Sequence, residues 1–255
     1  MEFEAIDFSH DDAEIAGRTR LPASSRHREA MPVLDLSPEQ VPLYRMALRF
    51  WQRMRAAAAD PVHPDRPRAL FKKAAQLPQA ALDPCRVLAD RETLLGRLPK
   101  HAVCAEIGTQ EGRFADAILR ITRPREFHVV DIDLSRLDSP ATLAAEPAVV
   151  LHEQDSADCL AEFPDGYFDW IYIDADHSYP AVRRDADVAL RKLKDDGYLV
   201  FNDYIFWSHE QMLPYGVVTA VNEICIEHDL AFVYFALHRS MYCDVALRRR
   251  SALMR

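Results

Sequence analysis

Five apolar runs of seven residues, spaced along the second half of the chain, constrain its fold more than any other feature: "AVCAEIG" (102–108), "FHVVDID" (127–133), "AVVLHEQ" (148–154), "FDWIYID" (168–174) and "GYLVFND" (197–203). Each is short, apolar nearly throughout and bounded by turn residues, which is the pattern of a strand buried on both faces. Helical patterns lie between several of them. In the clearest, 181–194, Val182, Ala186, Ala189, Leu190 and Leu193 share a stripe, and Gly197 falls just beyond the expected end. "GVVTAVNEICIEH" predicts one more helix, and "LAFVYFAL" and "MYCDVALR" a closing hairpin-like pair. Strand and helix alternating in this way predict an α/β protein, a Rossmann-like doubly wound and mostly parallel sheet of about seven strands. Such sheets bind ligands beyond the carboxyl ends of their strands. Asp131, Asp174 and Asp203 all fall at expected strand ends.

The N-terminal part reads differently. Residues 1–36 are polar and turn-rich, as in a flexible arm. Residues 37–99 are expected to form a helical cap, and 100–255 the sheet domain. Ser37, Pro38 and Gln40 make a helix start with a capping box, and Leu43, Ala47, Phe50 and Met54 then share one face. Pro42 sits awkwardly inside that pattern. "DPVHPDRP" (60–67) reads as a break, followed by further helix to about residue 98. A formal charge of −9 argues against nucleic acid or an anionic membrane as partner. The opening "MEFEAIDFSHDD" has neither the basic nor the apolar region of a signal peptide. Five scattered cysteines without a CxxC pair read as reduced thiols, so a cytoplasmic location is expected. A homo-oligomer is compatible with the sequence, which does not decide it.

"EIGTQEGRFADAIL" follows the first run and places Glu106, Gly108 and Gly112 in a strand-to-helix turn. Glycines there allow tight turning and close approach. Gln110 stands where a dinucleotide fingerprint has its second glycine, which disfavours a pyrophosphate. Asp131, 23 residues after Gly108, is placed to accept from two ribose hydroxyls. Asp155 and Ser156 follow the third run, where an adenine could be read; either could instead cap the next helix.

On these residues, with Asp174 and the "ND" at 202–203, the chain from residue 100 onward resembles the class I S-adenosylmethionine-dependent methyltransferases. More narrowly, it is similar to the small-molecule O-methyltransferases of the macrocin, mycinamicin and catechol type. The resemblance implies that Glu106 lies near the methionine amino group, Asp131 on the ribose, Asp155 and Ser156 near the adenine, and Asp174 close to the cofactor. It also implies a metal that grips two adjacent hydroxyls of a sugar or phenol, lowers the hydroxyl pKa and aligns the oxygen with the sulfonium methyl.

Asp174, Asn202 and Asp203 end neighbouring runs, so their oxygens can converge on one cation; an all-oxygen set suits Mg²⁺. Asn202 departs from the macrocin type, which carries a second aspartate there. The bland reading is that Asn202 and Asp203 only cap the next loop. Asp176 and His177 are the candidate bases. Asp-x-Asp resembles the macrocin arrangement and Asp-x-x-His the mycinamicin one, and the chain contains both. An imidazole suits proton abstraction near neutrality, which puts His177 first and Asp176 second. Their bland readings are a packed loop histidine and a helix cap. Trp207, His209 and Tyr215, in an aromatic loop, could line an acceptor pocket. The expectation is an S-adenosylmethionine-dependent, Mg²⁺-assisted O-methyltransferase acting on a small-molecule hydroxyl. Its rivals are a protein that binds S-adenosylmethionine without transfer and a nicotinamide-dependent oxidoreductase.

Overall fold

The computed structural model describes residues 37–38, 40–57, 73–138 and 140–254, with the side chains of 50–57 and 140–141 left out. The expected arm (1–36), the break at 60–67 and the side chains of Phe50 and Met54 lie outside the described residues. In chain order the elements are α1 (Gln40–Ala57), α2 (Gln79–Leu82), β1 (Arg86–Leu88), α3 (Arg91–Leu95), β2 (Val103–Ile107), α4 (Arg113–Thr122) and β3 (Glu126–Asp131). After a short 3-10 turn come α5 (Pro140–Ala145), β4 (Val149–Glu153), α6 (Ser156–Ala161), β5 (Phe168–Ile173), α7 (Tyr179–Lys192) and β6 (Leu193–Phe201). The chain closes with β7 (Trp207–Ser208), β8 (Leu213–Pro214), α8 (Val217–Glu227), β9 (Leu230–Ala236), β10 (Asp244–Arg249) and α9 (Arg250–Leu253).

Eight strands form one sheet in the order β1-β9-β10-β6-β5-β2-β3-β4. All neighbours pair in parallel except β10, which is antiparallel to both β6 and β9. Two buried clusters cover the two faces. One gathers Ile107, Ile171, Phe201 and the α7 and α8 stripes; the other gathers Phe127, Trp170, Tyr172 and α4. Burial on both faces is why β2 and β5 are apolar runs rather than alternating ones. From β2 the chain builds outward through β3 to β4, then returns to lay β5 and β6 on the other side of β2. The β2–β5 junction is therefore the topological switch point, beyond whose strand carboxyl ends sheets of this kind bind their ligands.

The expected strands and the closing antiparallel pair are present. Two expectations fail. The stretch to residue 98 is not wholly helical, because Arg86–Leu88 pairs with Tyr234–Ala236 as a parallel edge strand, making eight strands rather than about seven. Gly197 does not cap a helix. α7 stops at Lys192, since Leu193 is already paired with Phe168 in β6, and Gly197 lies inside that strand. At the start of α1, the Ser37 N–H donates to Gln40 Oε1 at 2.8 Å, forming that half of the capping box. Pro42 falls in the first turn of α1, and the helix runs on through it. Leu43, on the shared face of α1, is 60% exposed.

Candidate active site

The turn after β2 is built by close backbone contact. Gly108 takes φ +85°, and a Cβ there would stand 2.2 Å from the Asp174 carbonyl oxygen. Its need for glycine thus comes from the chain's own β5 end crossing over it. Gly112, at φ +81°, starts α4. Asp131, at the end of β3, accepts from the Thr109 and Gln110 N–H groups at 2.8 and 3.0 Å, and through its other oxygen from Asp133 N–H at 3.0 Å. Its carboxylate thus ties the turn to β3. Glu106 is buried, and Thr109 Oγ1 donates to its Oε2 at 2.8 Å. Burial pushes the Glu106 carboxyl up to about 8, with the Thr109 hydrogen bond and the Arg91 charge opposing.

Asp155 caps α6 by accepting from Ala157 N–H and Asp158 N–H at 3.1 and 3.2 Å, and pairs with Arg184 at 2.8 Å. Ser156 Oγ donates to the buried Asp185 at 2.7 Å. The local role is therefore filled at both positions.

Beyond β5 and β6 the side chains converge. His177 Nε2 lies 3.3 Å from Asn202 Oδ1, 3.6 Å from Asp203 Oδ2 and 3.7 Å from Asp174 Oδ1. Its ring stacks on Tyr215, centroids 4.5 Å apart. The backbone holds this geometry in place: Asp174 N–H donates to Ile107 O, Asn202 N–H to Ile173 O, and Gly216 N–H to His177 O. Asp203 adopts φ +53°, a left-handed conformation that aspartate tolerates better than most residues. Asp176 is not part of this group. It is exposed, and its Oδ1 accepts from Ser178 N–H at 2.7 Å, tightening the turn into α7. Trp207 forms β7, and His209 packs on Tyr242, centroids 4.7 Å apart.

Three further residues complete the site, none singled out by the sequence pattern. Arg91, at the start of α3, donates from Nη2 to Tyr172 OH at 3.1 Å and to Asp174 Oδ2 at 3.2 Å, while its Nε lies 3.5 Å from Asp244 Oδ2. Its guanidinium also rests on the Phe114 ring, 3.7 Å from the centroid. Asp244, only 2% exposed, accepts from Tyr172 OH, from Asn202 Nδ2 at 3.0 Å and from Asp203 N–H at 3.4 Å. Because the Asn202 amide nitrogen is committed to Asp244, its oxygen faces His177, and the ring nitrogen there is the donor.

The electrostatics follow from burial. Desolvation raises the Asp174 carboxyl well above the usual range, opposed by Arg91 and reinforced by Asp203, Asp244 and Glu106. Asp203 is pushed up to about 7, by desolvation first and by Asp244 next. Burial lowers His177, against the Asn202 hydrogen bond and Asp176. Arg91 stays a cation: burial opposes its charge, but Tyr172, Asp244 and Asp174 raise its pKa above the ordinary value. Four buried or half-buried acids thus share one internal guanidinium, leaving room for further positive charge. Among the described residues, no group of three or more His, Cys, Asp or Glu side chains is arranged to hold a metal ion.

Residues 105–204 match the family model described as a methyltransferase domain. A search of curated proteins finds no match. Among solved structures, the chain is similar to a SAM-dependent methyltransferase from Aquifex aeolicus, at 15% identity, covering 66% of this chain and 89% of that one, with a TM-score of 0.48. It is also similar to a SAM-dependent methyltransferase from Mesorhizobium loti, at 14% identity, covering 62% and 96%, with a TM-score of 0.45. A spermidine synthase from Thermotoga maritima matches at 15% identity over 63% of this chain and 57% of that one, with a TM-score of 0.44. At such identities no substrate carries over. No described helix is long and apolar enough to cross a membrane. The matched stretch, 105–204, lies across the doubly wound sheet whose switch point carries the Glu106–Gly112 turn, so this part of the chain is similar to a methyltransferase domain.

Proposed function

We propose that the protein transfers a methyl group from S-adenosylmethionine to a hydroxyl of a small molecule. The observation that carries this reading is the cluster at His177 Nε2, with three side-chain oxygens within 3.7 Å, beside the turn expected to hold the cofactor. In the free site Nε2–H donates to Asn202 at 3.3 Å, a loose contact that an entering hydroxyl can replace. The ring then meets the acceptor as its other tautomer. Nε2 would take the hydroxyl proton, and S-adenosylmethionine, when bound, would supply the methyl group for the oxygen and depart as the thioether. Asp174 and Asp203 stabilise the imidazolium that forms. Asp176, committed to the α7 turn, is not the base in this reading. Glu106 receives the methionine ammonium, Asp131 the ribose, and Asp155 and Ser156 flank the adenine.

Asp174 Oδ1, Asn202 Oδ1 and Asp203 Oδ2 all lie within 3.7 Å of His177 Nε2, and oxygens of this kind would suit a hard cation such as Mg²⁺. When bound, such an ion acts as a Lewis acid that lowers the hydroxyl pKa. In this reading the acceptor's body would occupy a cavity whose lining includes Tyr204, the residue after Asp203. This cavity, of about 660 Å³, is walled by Tyr204, Phe206, Val218, Phe232 and Phe235. Phe206 O accepts from the N–H of Tyr215, the residue whose ring stacks on His177. Two of its polar wall groups are paired with each other and with the backbone: Tyr204 OH donates to Asn222 Oδ1, and Asn222 Nδ2 to Ala75 O, while Lys73 and Gln76 also line it. Such walls favour an aryl or alkyl body over a bare sugar. The test is S-adenosylhomocysteine release across a panel of catechols, simple phenols and glycosides, with Mg²⁺ and with EDTA. Turnover with phenolic acceptors, restored by Mg²⁺ after chelation, is expected. Tight cofactor binding without turnover on any hydroxyl would indicate a binding protein, and selective NADH binding an oxidoreductase.

A further inference from the structure

Between two carboxylates, the middle oxygen of the proposed cation set comes from an amide, Asn202. An amide is a weaker ligand than a carboxylate, and unlike one it can turn either of two atoms toward the site. The residue behind it answers both problems. β10 runs antiparallel to β6 with Val245 opposite Phe201, so the first residue of β10, Asp244, comes up beside Asn202 just past the ladder's end. Asp244 Oδ1 accepts from Asn202 Nδ2 at 3.0 Å and from Asp203 N–H at 3.4 Å. Its Oδ2 is anchored by Tyr172 OH and lies 3.5 Å from Arg91 Nε. Asp174 is set in the same manner, since Arg91 takes its Oδ2 at 3.2 Å while its Oδ1 faces the site.

We infer that Asp244 is a positioning residue for the acceptor site: it takes the amide nitrogen of Asn202 so that the oxygen enters the site, and supplies from behind the negative charge that an amide ligand lacks. A charge-assisted hydrogen bond to the amide nitrogen polarises the carbonyl and strengthens its oxygen as a donor. The inference rests on the cation reading above. It makes Asn202 and Asp244 a matched pair, one neutral and one charged. A carboxylate at both positions would set two buried like charges about 3.0 Å apart. An amide at both would leave Arg91 short of a counter-charge.

The experiment uses the full chain and two readouts. Metal-free thermal unfolding is followed for the parent, Asn202→Asp, Asp244→Asn and the double variant that exchanges the two. Mn²⁺ binding to the parent, Asp244→Ala and the exchange variant is followed by electron paramagnetic resonance. Each single exchange should lower Tm by about 5 °C, and the double variant should recover at least half of the summed loss. Asp244→Ala should bind Mn²⁺ about 10–100-fold more weakly, as outer-shell substitutions do, and the exchange variant should bind at least as tightly as the parent. Additive Tm losses would overturn the pairing of Asn202 with Asp244. Unchanged Mn²⁺ affinity in Asp244→Ala, with the parent binding, would overturn its role in presenting the oxygen. No Mn²⁺ binding by the parent, together with recovery in the double variant, would remove the cation reading and with it the ligand role assigned here, while leaving a purely structural pair.

Discussion

The two halves of the proposed site are held together by different means. On the proposed cofactor side, Asp131 ties down Thr109, Gln110 and Asp133 through backbone N–H groups, and Glu106 is met by Thr109, three residues away. Those contacts reach at most from one strand to the next turn. On the proposed acceptor side, side chains from distant parts of the chain meet: Arg91 with Asp174, Tyr172 with Asp244, His177 with Asn202. A backbone-built site has its shape set by folding of the turn itself. A side-chain-built site depends on every member of the network, so single substitutions there should change chemistry while leaving cofactor affinity alone.

That contrast can be broken most sharply at His177. His177→Ala should lower turnover by about 10²–10⁴-fold, with S-adenosylmethionine affinity close to the parent's in calorimetry. Loss of affinity by the same factor would mean that the halves are not separable. The next largest effect belongs to Asp131. Asp131→Ala should weaken S-adenosylmethionine binding by about 1.5–3 kcal/mol, because a charge-assisted acceptor is removed. Since the same carboxylate holds three backbone N–H groups, Tm should fall as well. Lowered Tm with unaltered affinity would confine Asp131 to shaping the turn.

The same contrast explains what could be read in the sequence. Of the five strands, β2, β3, β5 and β6 were legible because burial leaves apolar runs, β4 only by the short apolar run 149–151 of an edge strand, and the Gly108 turn because its residues are contiguous. β1 was not, since Arg86, Val87 and Leu88 are too few to show a period and pair only with distant β9. Gly197 was misread because its glycine signal sits where pairing of Leu193 with Phe168 overrides the helix end. Asp244 gave a signal that could have been used: a charge inside the apolar "MYCDVALR" raises the same question as Asp174. Arg91 gave none, as an arginine in the first turn of a short helix reads like any solvated one. For Asp176 and His177 the sequence left the choice open. Their separation, one on a turn N–H and the other among the oxygens, is a tertiary fact.

Smaller effects sharpen the picture. Glu106 sits at about 8 in the free protein, above the ~4.3 of an unfolded glutamate. Its contribution to stability is thus fully present below ~4.3 and is lost as pH rises through about 8. A cationic methionine ammonium prefers the ionised form. S-adenosylmethionine affinity should therefore climb as pH rises toward about 8 and then level, with proton release on binding at pH 7. Glu106→Gln should flatten that profile; an unaltered slope would place the ammonium elsewhere. The smallest effect is expected at Asp176. Asp176→Ala removes one acceptor from a turn N–H, costing about 1 kcal/mol of stability with turnover near the parent's. A collapse of turnover in that variant, with His177→Ala active, would reverse the assignment of the base.

The central claim is that one site at the β2–β5 switch point brings a cofactor half and an acceptor half face to face. A crystal structure with S-adenosylhomocysteine tests it most directly. The account predicts the ligand's amino group at Glu106, its ribose at Asp131, and its sulfur directed toward His177 and the oxygens of Asp174, Asn202 and Asp203. A sulfur turned away from His177, or a ligand bound outside this site, would contradict it.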